Sequence, residues 1–327
     1  MPTCLGLEGG ATIVKLCGFG DNLGCPRSVA LGTFDGVHRG HQRLLSRAVD
    51  RIPVDGCSTV LTLDYPPDQY FQQQPRLICD FETRRALIQR QGISEVVWLK
   101  FDEEIASLRA EVFIRDILVD MLHASHVICG FNYRFGHKAE GTPELLRVMG
   151  RIHNYRVDVV PPMYIDGRVV SSTRIRQALD DGDVRLAHRL LGRPQSYRGI
   201  VAHGQQRGRK LGFPTANLSI QHELVLPRQG VYLTYSHLAD GQSYPSLTAI
   251  GDNPTFGASA QTVETYLMDF DGNLYGQEME LSFLDRLRDI YRFSSVEELK
   301  HQMRMDQDMA QERLAEFRLH SGRLVLE

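Results

Sequence analysis

From residue 28 to residue 160, short apolar runs alternate with stretches of helical period; beyond Gly192-Arg193-Pro194 the helical stretches drop out and closely spaced apolar runs follow one another. Few folds accept such a chain. Strand and helix in alternation build a parallel sheet with crossover helices. Strands in close succession build an antiparallel barrel or sandwich. The 327 residues are enough for both, so the sequence predicts two domains, 1–192 and 193–327. In the first, strands are expected around Ala11–Leu16 and at Val29–Leu31, Ser58–Leu63, Glu95–Lys100, His126–Cys129 and Arg156–Val160. Helices are expected after residue 38, near 80–91, and over Ala110–His123 and Thr142–Asn154. In the second, strands are expected at Tyr197–Ala202, Val231–Ser236, Ser246–Ile250, Thr262–Met268 and Glu278–Leu284. The capping box Ser295-x-x-Glu298 then opens a charged helix expected to run to about Leu319.

Composition excludes several classes of function. With 42% hydrophobic and 24% charged residues the chain is an ordinary globular protein, and a net charge of −3 gives no electrostatic case for binding nucleic acid. No apolar run approaches the roughly 18 residues that a membrane span requires, and no secretory signal is visible. The six cysteines are scattered without a C-x-x-C pair. They read as reduced thiols in a cytoplasmic protein, not as a zinc site or a disulfide framework.

The stretch Leu31-Gly32-Thr33-Phe34-Asp35-Gly36-Val37-His38-Arg39-Gly40-His41 carries the first candidate site. A strand leads through a glycine turn into a helix, so backbone N–H groups collect at a helix N-terminus that favours anions. His38 and His41, three apart on the first turn, can face one phosphate together. H-x-G-H alone also occurs in solvated turns; the preceding strand and the G-T-F-D-G turn favour chemistry. In a parallel sheet ligands bind beyond the carboxyl ends of strands. The Pro66-Pro67 turn and the Asn132 loop, Gly130-Phe131-Asn132-Tyr133-Arg134-Phe135-Gly136, occupy two more such ends. Further on, Ser171-Ser172-Thr173-Arg174-Ile175-Arg176 reads as a helix cap whose hydroxyls, N–H groups and arginines could clamp a phosphate.

A second candidate lies after the linker. Gly199, Gly204, Gly208 and Gly212 are interleaved with Arg207, Arg209 and Lys210, giving a cationic backbone loop able to wrap a polyphosphate. Pro214-Thr215-Ala216-Asn217 closes it, and the Thr215 and Asn217 oxygens suit Mg²⁺. Glu264 sits inside a strand pattern, where alternation permits an outward-facing carboxylate.

Taken together, these segments resemble the bacterial bifunctional riboflavin kinase/FAD synthetase family over about residues 28–318. The matching stretches are L-G-T-F-D-G-V-H-R-G-H at 31–41, G-F-N-Y-R-F-G at 130–136, S-S-T-R-I-R at 171–176, G-R-K-L-G-F-P-T-A-N at 208–217 and V-E-T-Y at 263–266. Asn253-Pro254-Thr255-Phe256-Gly257 and Arg286-Leu287-Arg288-Asp289 also fit. The resemblance implies a Rossmann-like nucleotidyltransferase domain of α/β class, followed by a small antiparallel β-barrel with a long helix. It implies phosphorylation of riboflavin to FMN and adenylylation of FMN to FAD, with ATP as co-substrate and Mg²⁺ as cofactor.

The resemblance also implies roles. His38, His41 and Glu264 would be catalytic. Gly32, Thr33, Phe34, Asp35, Gly36, Asn132, Ser171, Ser172, Thr173 and Arg176 would bind nucleotide in the first domain. Gly204, Gly208, Arg209, Gly212 and Pro214 would do so in the second. Thr215 and Asn217 would hold the metal, and Arg288 and Asp289 would border the flavin. Riboflavin, FMN and ATP are the expected partners, without nucleic acid or membrane; an oligomer is compatible with the sequence. The chain departs from the family in reading Tyr65-Pro66-Pro67 where a histidine usually stands between prolines, and in having Ile290 after Asp289. Two other readings stay open here: a kinase whose first domain binds nucleotide but reacts weakly, and a flavin-responsive binding protein.

Overall fold

The computed structural model describes residues 13–16, 23–67, 76–202, 213–252, 261–320 and 323–326. The chain divides into two compact units, 1–172 and 173–327.

The first unit is built on a six-stranded sheet in which every pairing is parallel. Its strands are β1 (Ile13–Leu16), β2 (Arg27–Leu31), β3 (Cys57–Leu63), β4 (Glu95–Leu99), β5 (Ala124–Gly130) and β6 (Arg156–Val160), in the order β1-β4-β3-β2-β5-β6. All five residues of β2 are buried, as expected of a central parallel strand covered on both faces. One of them is Arg27, and a buried cation requires partners. Its Nε donates to Glu95 at 2.7 Å, and its other nitrogens donate to the carbonyls of Cys25 and Leu23.

Helices cover both faces of this sheet. On one side α1 (Arg39–Val49) packs Leu44, Leu45 and Ala48 with Leu87 and Ile88 from the helix Phe81–Gln89. On the other lie Leu146 of the helix Pro143–His153 and the run Ala110–Val112, which continues as a π-helix over Phe113–Met121. The predicted amphipathic helix at 110–123 is thus present, with a wider turn through most of its length. The short hairpin β7 (Tyr164–Ile165) and β8 (Arg168–Val169) turns at Asp166-Gly167. The chain leaves β2 for β3 and β4 on one side, then returns across it to β5 and β6. That reversal puts the topological switch point between β2 and β5, where an open α/β sheet leaves a crevice at its carboxyl edge.

The second unit is a closed antiparallel barrel ordered β10-β13-β12-β11-β14-β9. Its strands are β9 (Gln195–Ala202), β10 (Ala216–Ser219), β11 (Gly230–Leu238), β12 (Ser243–Asp252), β13 (Gln261–Leu267) and β14 (Glu278–Arg288). The five expected barrel strands are present, and β10, the end of the glycine-rich stretch, is a sixth that the sequence does not predict. Closure joins β10 to both β9 and β13 and leaves no open sheet edge. Thr234, Thr248 and Thr265 are fully buried in the interior and bond hydroxyl to hydroxyl, Thr234 to Thr248 at 2.7 Å and Thr248 on to Thr265.

The helix Val296–Leu314 lies against the barrel's outer face, Ala310 and Leu314 packing with Leu233, Leu247 and Tyr266. It ends before the expected Leu319. From Phe317 the backbone leaves the helix to pair as β15 (Phe317–His320) with β16 (Arg323–Leu326), and the buried Phe317 ring faces that of His188.

The packing divides the chain earlier than Gly192. The helix Val184–Leu191 belongs with the barrel, because Arg185 ion-pairs with Asp285 and Glu316, while the backbone of Arg228 donates to Leu179. No helix among the described residues is long and apolar enough to cross a membrane.

Candidate active sites

In the first unit the turn after β2 is strained and heavily braced. Phe34, Gly36 and Val37 have φ of 52°, 76° and 41°. Left-handed backbone at a bulky or β-branched residue persists only where its surroundings hold it. Asp35, 1% exposed, supplies much of that hold. Its carboxylate accepts the N–H of Ile78 at 3.0 Å and of Cys79 at 3.4 Å, and its carbonyl accepts from Ser172 Oγ. Gly36 is required twice over: its φ is positive, and a Cβ there would sit 2.8 Å from Ile78 Cγ2. Phe34 is fully buried, with its ring 5.2 Å from that of His41. The side chains of Phe34 and Asp35 therefore face the core and shape the turn instead of lining a cleft.

The histidines face the other way. His38 is the N-cap of α1, and its Nδ1 accepts the backbone N–H of His41 at 3.2 Å. That bond assigns the neutral ring's proton to Nε2, which makes that nitrogen a donor. The two rings stack 3.6 Å apart at 14°. Burial, the neighbouring His38 and then Arg84 hold His41 well below the ordinary imidazole range, so it is neutral at pH 7. Gly40 leaves room for this arrangement, since a Cβ there would lie 3.1 Å from the His38 ring.

Both histidines line a cleft of about 960 Å³ at the switch point. Gly32, Thr33, Asn132, Ser171 and Ser172 line it with them, so the structure brings together segments that are far apart in sequence. Thr173 and Arg176 follow on the helix Ser172–Asp180, past the boundary between the units. Away from the histidines the cleft becomes apolar and aromatic: Leu63, Pro67, Phe101, Phe113, Tyr133 and Phe135. The rings of Tyr133 and Phe135 stack at 5.6 Å. Sequence reasoning took only Asn132 from that loop, although its three aromatic residues at alternate positions were in view.

Arg84 was missed altogether. It is 2% exposed, and its guanidinium donates to the carbonyls of Thr33 at 2.9 Å and Asp64 at 2.7 Å while lying over the Trp98 ring. The available signal was its place three and four residues before Leu87 and Ile88, on the apolar face of its helix.

In the second unit, register makes the site. Asn217 on β10 pairs with Glu264 on β13, and Ala216 with Thr265. Thr265 points into the barrel, so Asn217 and Glu264 share the outer face, and alternation gives Thr215 that face as well. Glu264 is exposed, as its strand pattern allowed. These are all hard oxygen donors, a set that fits a Mg²⁺ ion retaining waters and substrate phosphates. Beside them Pro214 and Thr215 border a pocket of about 370 Å³ with Val201, Phe270, Leu274 and Tyr275. The expected Gly204, Gly208, Arg209 and Gly212, and the Asn253–Gly257 segment, lie outside the described residues.

Arg288 and Asp289 are engaged within their own unit. Arg288 forms a forked pair with the buried Asp306, Nη2 at 2.7 Å, and lies over the rings of Tyr291 and Phe293. Asp289 pairs with Arg286 at 2.7 Å.

The FAD synthetase family model matches residues 23–174, and the riboflavin kinase family model matches residues 191–314. Curated relatives described as bifunctional riboflavin kinase/FMN adenylyltransferase include those of Pseudomonas fluorescens (36% identical, covering 88% of this chain and 92% of the relative) and Haemophilus influenzae (33%, 88% and 93%). A solved structure from Streptococcus pneumoniae, described as a macrolide-efflux protein, is 33% identical and superposes with a TM-score of 0.80 over 90% of this chain and 95% of its own. The two family models fall on the two units that carry the histidine cleft and the Thr215–Asn217–Glu264 face, and the chain belongs to the bifunctional riboflavin kinase/FMN adenylyltransferase family.

Proposed function

We propose that the chain phosphorylates riboflavin to FMN on its barrel and adenylylates FMN to FAD in its histidine cleft. The observation that carries this reading is the chemical contrast between the two sites: donors and neutral imidazoles in one, an exposed carboxylate opposite an amide in the other.

In the cleft the incoming nucleophile is already an anion. An oxygen of the FMN phosphate attacks the α-phosphorus of ATP, the bond to the β-phosphate oxygen breaks, and pyrophosphate leaves. Such a reaction needs alignment and stabilisation of charge more than a base. His38 Nε2–H and His41 serve the phosphate oxygens, and Asn132, Ser171 and Ser172 orient them. The aromatic end formed by Phe101, Tyr133 and Phe135 suits a planar isoalloxazine ring. Phe34, Asp35 and Gly36 act by fixing the turn.

On the barrel the nucleophile is a neutral alcohol. The riboflavin 5′-hydroxyl oxygen attacks the γ-phosphorus, its proton passes to Glu264, and ADP leaves. Thr215 and Asn217 would hold Mg²⁺, which when bound would offset charge on the nucleotide phosphates. The pocket beside Pro214 takes the rest of the nucleotide, with Gly204, Gly208, Arg209 and Gly212 along the polyphosphate. Arg288 and Asp289 border the flavin at the end of β14. We place the enzyme in the cytoplasm.

Incubation of the full chain with riboflavin, ATP and Mg²⁺, with products separated by chromatography, should yield FMN and then FAD. Starting from FMN tests the cleft alone. FMN accumulating without FAD would refute the adenylyltransferase half and favour a kinase with an idle first domain, the reading that the Tyr65-Pro66-Pro67 departure would then explain.

A further inference from the structure

We infer that Arg84 is a positioning residue for adenylyl transfer: its buried guanidinium ties back the Thr33 and Asp64 carbonyls, so that the turns after β2 and β3 offer phosphates donors instead of acceptors. This rests on the reading that nucleotide phosphates bind in the histidine cleft.

The physical problem lies in the parallel sheet. Strand ends at its carboxyl edge carry outward-pointing carbonyl dipoles, and carbonyl oxygens repel phosphate. Thr33 follows β2 and lines the cleft, while Asp64 follows the adjacent strand β3. One guanidinium reaches both carbonyls, at 2.9 and 2.7 Å, and the Thr33 carbonyl also accepts from Thr62 Oγ1 at 3.2 Å. Arg84 is itself held from below by the Trp98 ring, 4.6 Å away, and from its own helix, which is capped by Asp80 accepting the Thr83 N–H. Among the described residues its hydrogen-bond acceptors are carbonyls and not carboxylates, so its charge is not consumed in an ion pair. In a buried setting such a charge acts over a longer range than in water.

Arg84 does not line the cleft, so it acts through other groups. The groups that bear on His41 are His38, stacked on it from the turn, and Arg84 from the helix beneath. Burial lowers the Arg84 pKa from its ordinary value, while Cys79, Asp35, Asp64 and Asp80 around it favour its charged form and oppose that shift. The Arg84 charge thus adds to burial and to His38 in keeping His41 neutral. Lysine could retain the charge but could not span two carbonyls with a planar fork.

The test uses the full chain as wild type, Arg84→Lys, Arg84→Met and Arg84→Gln, with FMN formation from riboflavin as a control on the other unit. FAD formation from FMN should fall roughly ten- to a hundred-fold in the Gln and Met variants, the range expected for a misplacement of about 1 Å. KM for ATP should rise, FMN formation should be unchanged, and Arg84→Lys should recover part of the loss. The acid limb of the pH profile for FAD formation should move to higher pH in Arg84→Gln and less in Arg84→Lys. The inference is overturned if natively folded Arg84→Gln makes FAD within about two-fold of wild type, or if its loss tracks the unfolded fraction with KM and pH profile unchanged. If wild type itself makes no FAD from FMN, the assignment of the cleft fails first and the role of Arg84 falls with it.

Discussion

Gly36→Ala is a small change at the point where the histidine turn is most constrained. Alanine at a φ of 76° costs about 1–2 kcal/mol relative to glycine. The new methyl would also stand 2.8 Å from Ile78 Cγ2 and 3.2 Å from its Cβ and Cδ1, closer than carbon atoms approach. Ile78 is fully buried and its N–H is held by Asp35, so it cannot simply swing aside. Forcing extra volume into such a site costs about 1–3 kcal/mol. The sum, about 2–5 kcal/mol, is a large part of the stability of an ordinary domain. The chain supplies its own probe, because Trp98 is its single tryptophan and is buried in β4 of the same unit. Denaturant titration followed by Trp98 fluorescence therefore reports on this unit. Gly36→Ala should lower its unfolding free energy by that amount, and FAD formation should drop at least ten-fold while FMN formation persists. A double-mutant cycle with Ile78→Ala separates the two causes: in that background the glycine substitution should cost only the backbone share, about 1–2 kcal/mol. An unchanged Trp98 transition in Gly36→Ala would refute the claim that this turn is braced as described.

His38→Asn keeps a good N-cap for α1 while removing the imidazole. FAD formation should fall by roughly 10²–10³, about 2.7–4 kcal/mol by analogy with oxyanion-hole donors, with little change in the Trp98 transition. A large loss of stability would instead show that His38 is mainly a cap. Glu264→Gln should do the reverse, reducing FMN formation and sparing FAD formation from FMN; equal loss of both would count against separate sites. His41 is held below its usual 6.5 by burial, so acidification below about 6.5 protonates it more readily in the unfolded chain than in the native one. Stability of the first unit should therefore fall between that pH and the native pKa, and His41→Asn should reduce this dependence; a slope unchanged in the variant would show that His41 does not contribute. Cys25 Sγ and Cys57 Sγ lie 3.9 Å apart, so diamide should join them in the folded chain, seen by peptide mapping as a disulfide with loss of two hydrogens. Two thiols that stay open to alkylation would contradict that approach.

The parts of this molecule that were legible in sequence are those written in period and local chemistry. Buried strands such as Val29–Leu31 are continuous apolar runs because both faces of a parallel sheet are covered, and the cap at Ser295 sits where the side-chain chemistry requires it. The histidine turn was legible because a strand end, a glycine turn and a helix start are all local. What the sequence hid is long-range. Asp35 holds a loop more than forty residues away, and nothing near it indicates whether its carboxylate will meet backbone N–H groups or a phosphate. β10 is not legible in the sequence because four residues after a glycine-rich stretch carry too little periodicity; closure of the barrel is what makes them a strand. The end of the C-terminal helix depends likewise on Phe317 finding a place beside His188.

The two sites also differ in how their chemistry is protected. On the proposed reading, the adenylyl site collects its donors in a cleft, where lower polarity would strengthen each contact with the phosphates and where the buried Arg84 and Asp35 would fix geometry without touching substrate. A carboxylate placed among those donors would repel an anionic nucleophile. The kinase reaction is served by a carboxylate, and the proposed one, Glu264, is exposed on the outside of a closed barrel, in a separate unit from the histidines. Separating the sites lets one chain carry two phosphate chemistries whose electrostatic requirements are opposed, and it is why substitution at Glu264 and at His38 should leave each other's reaction intact.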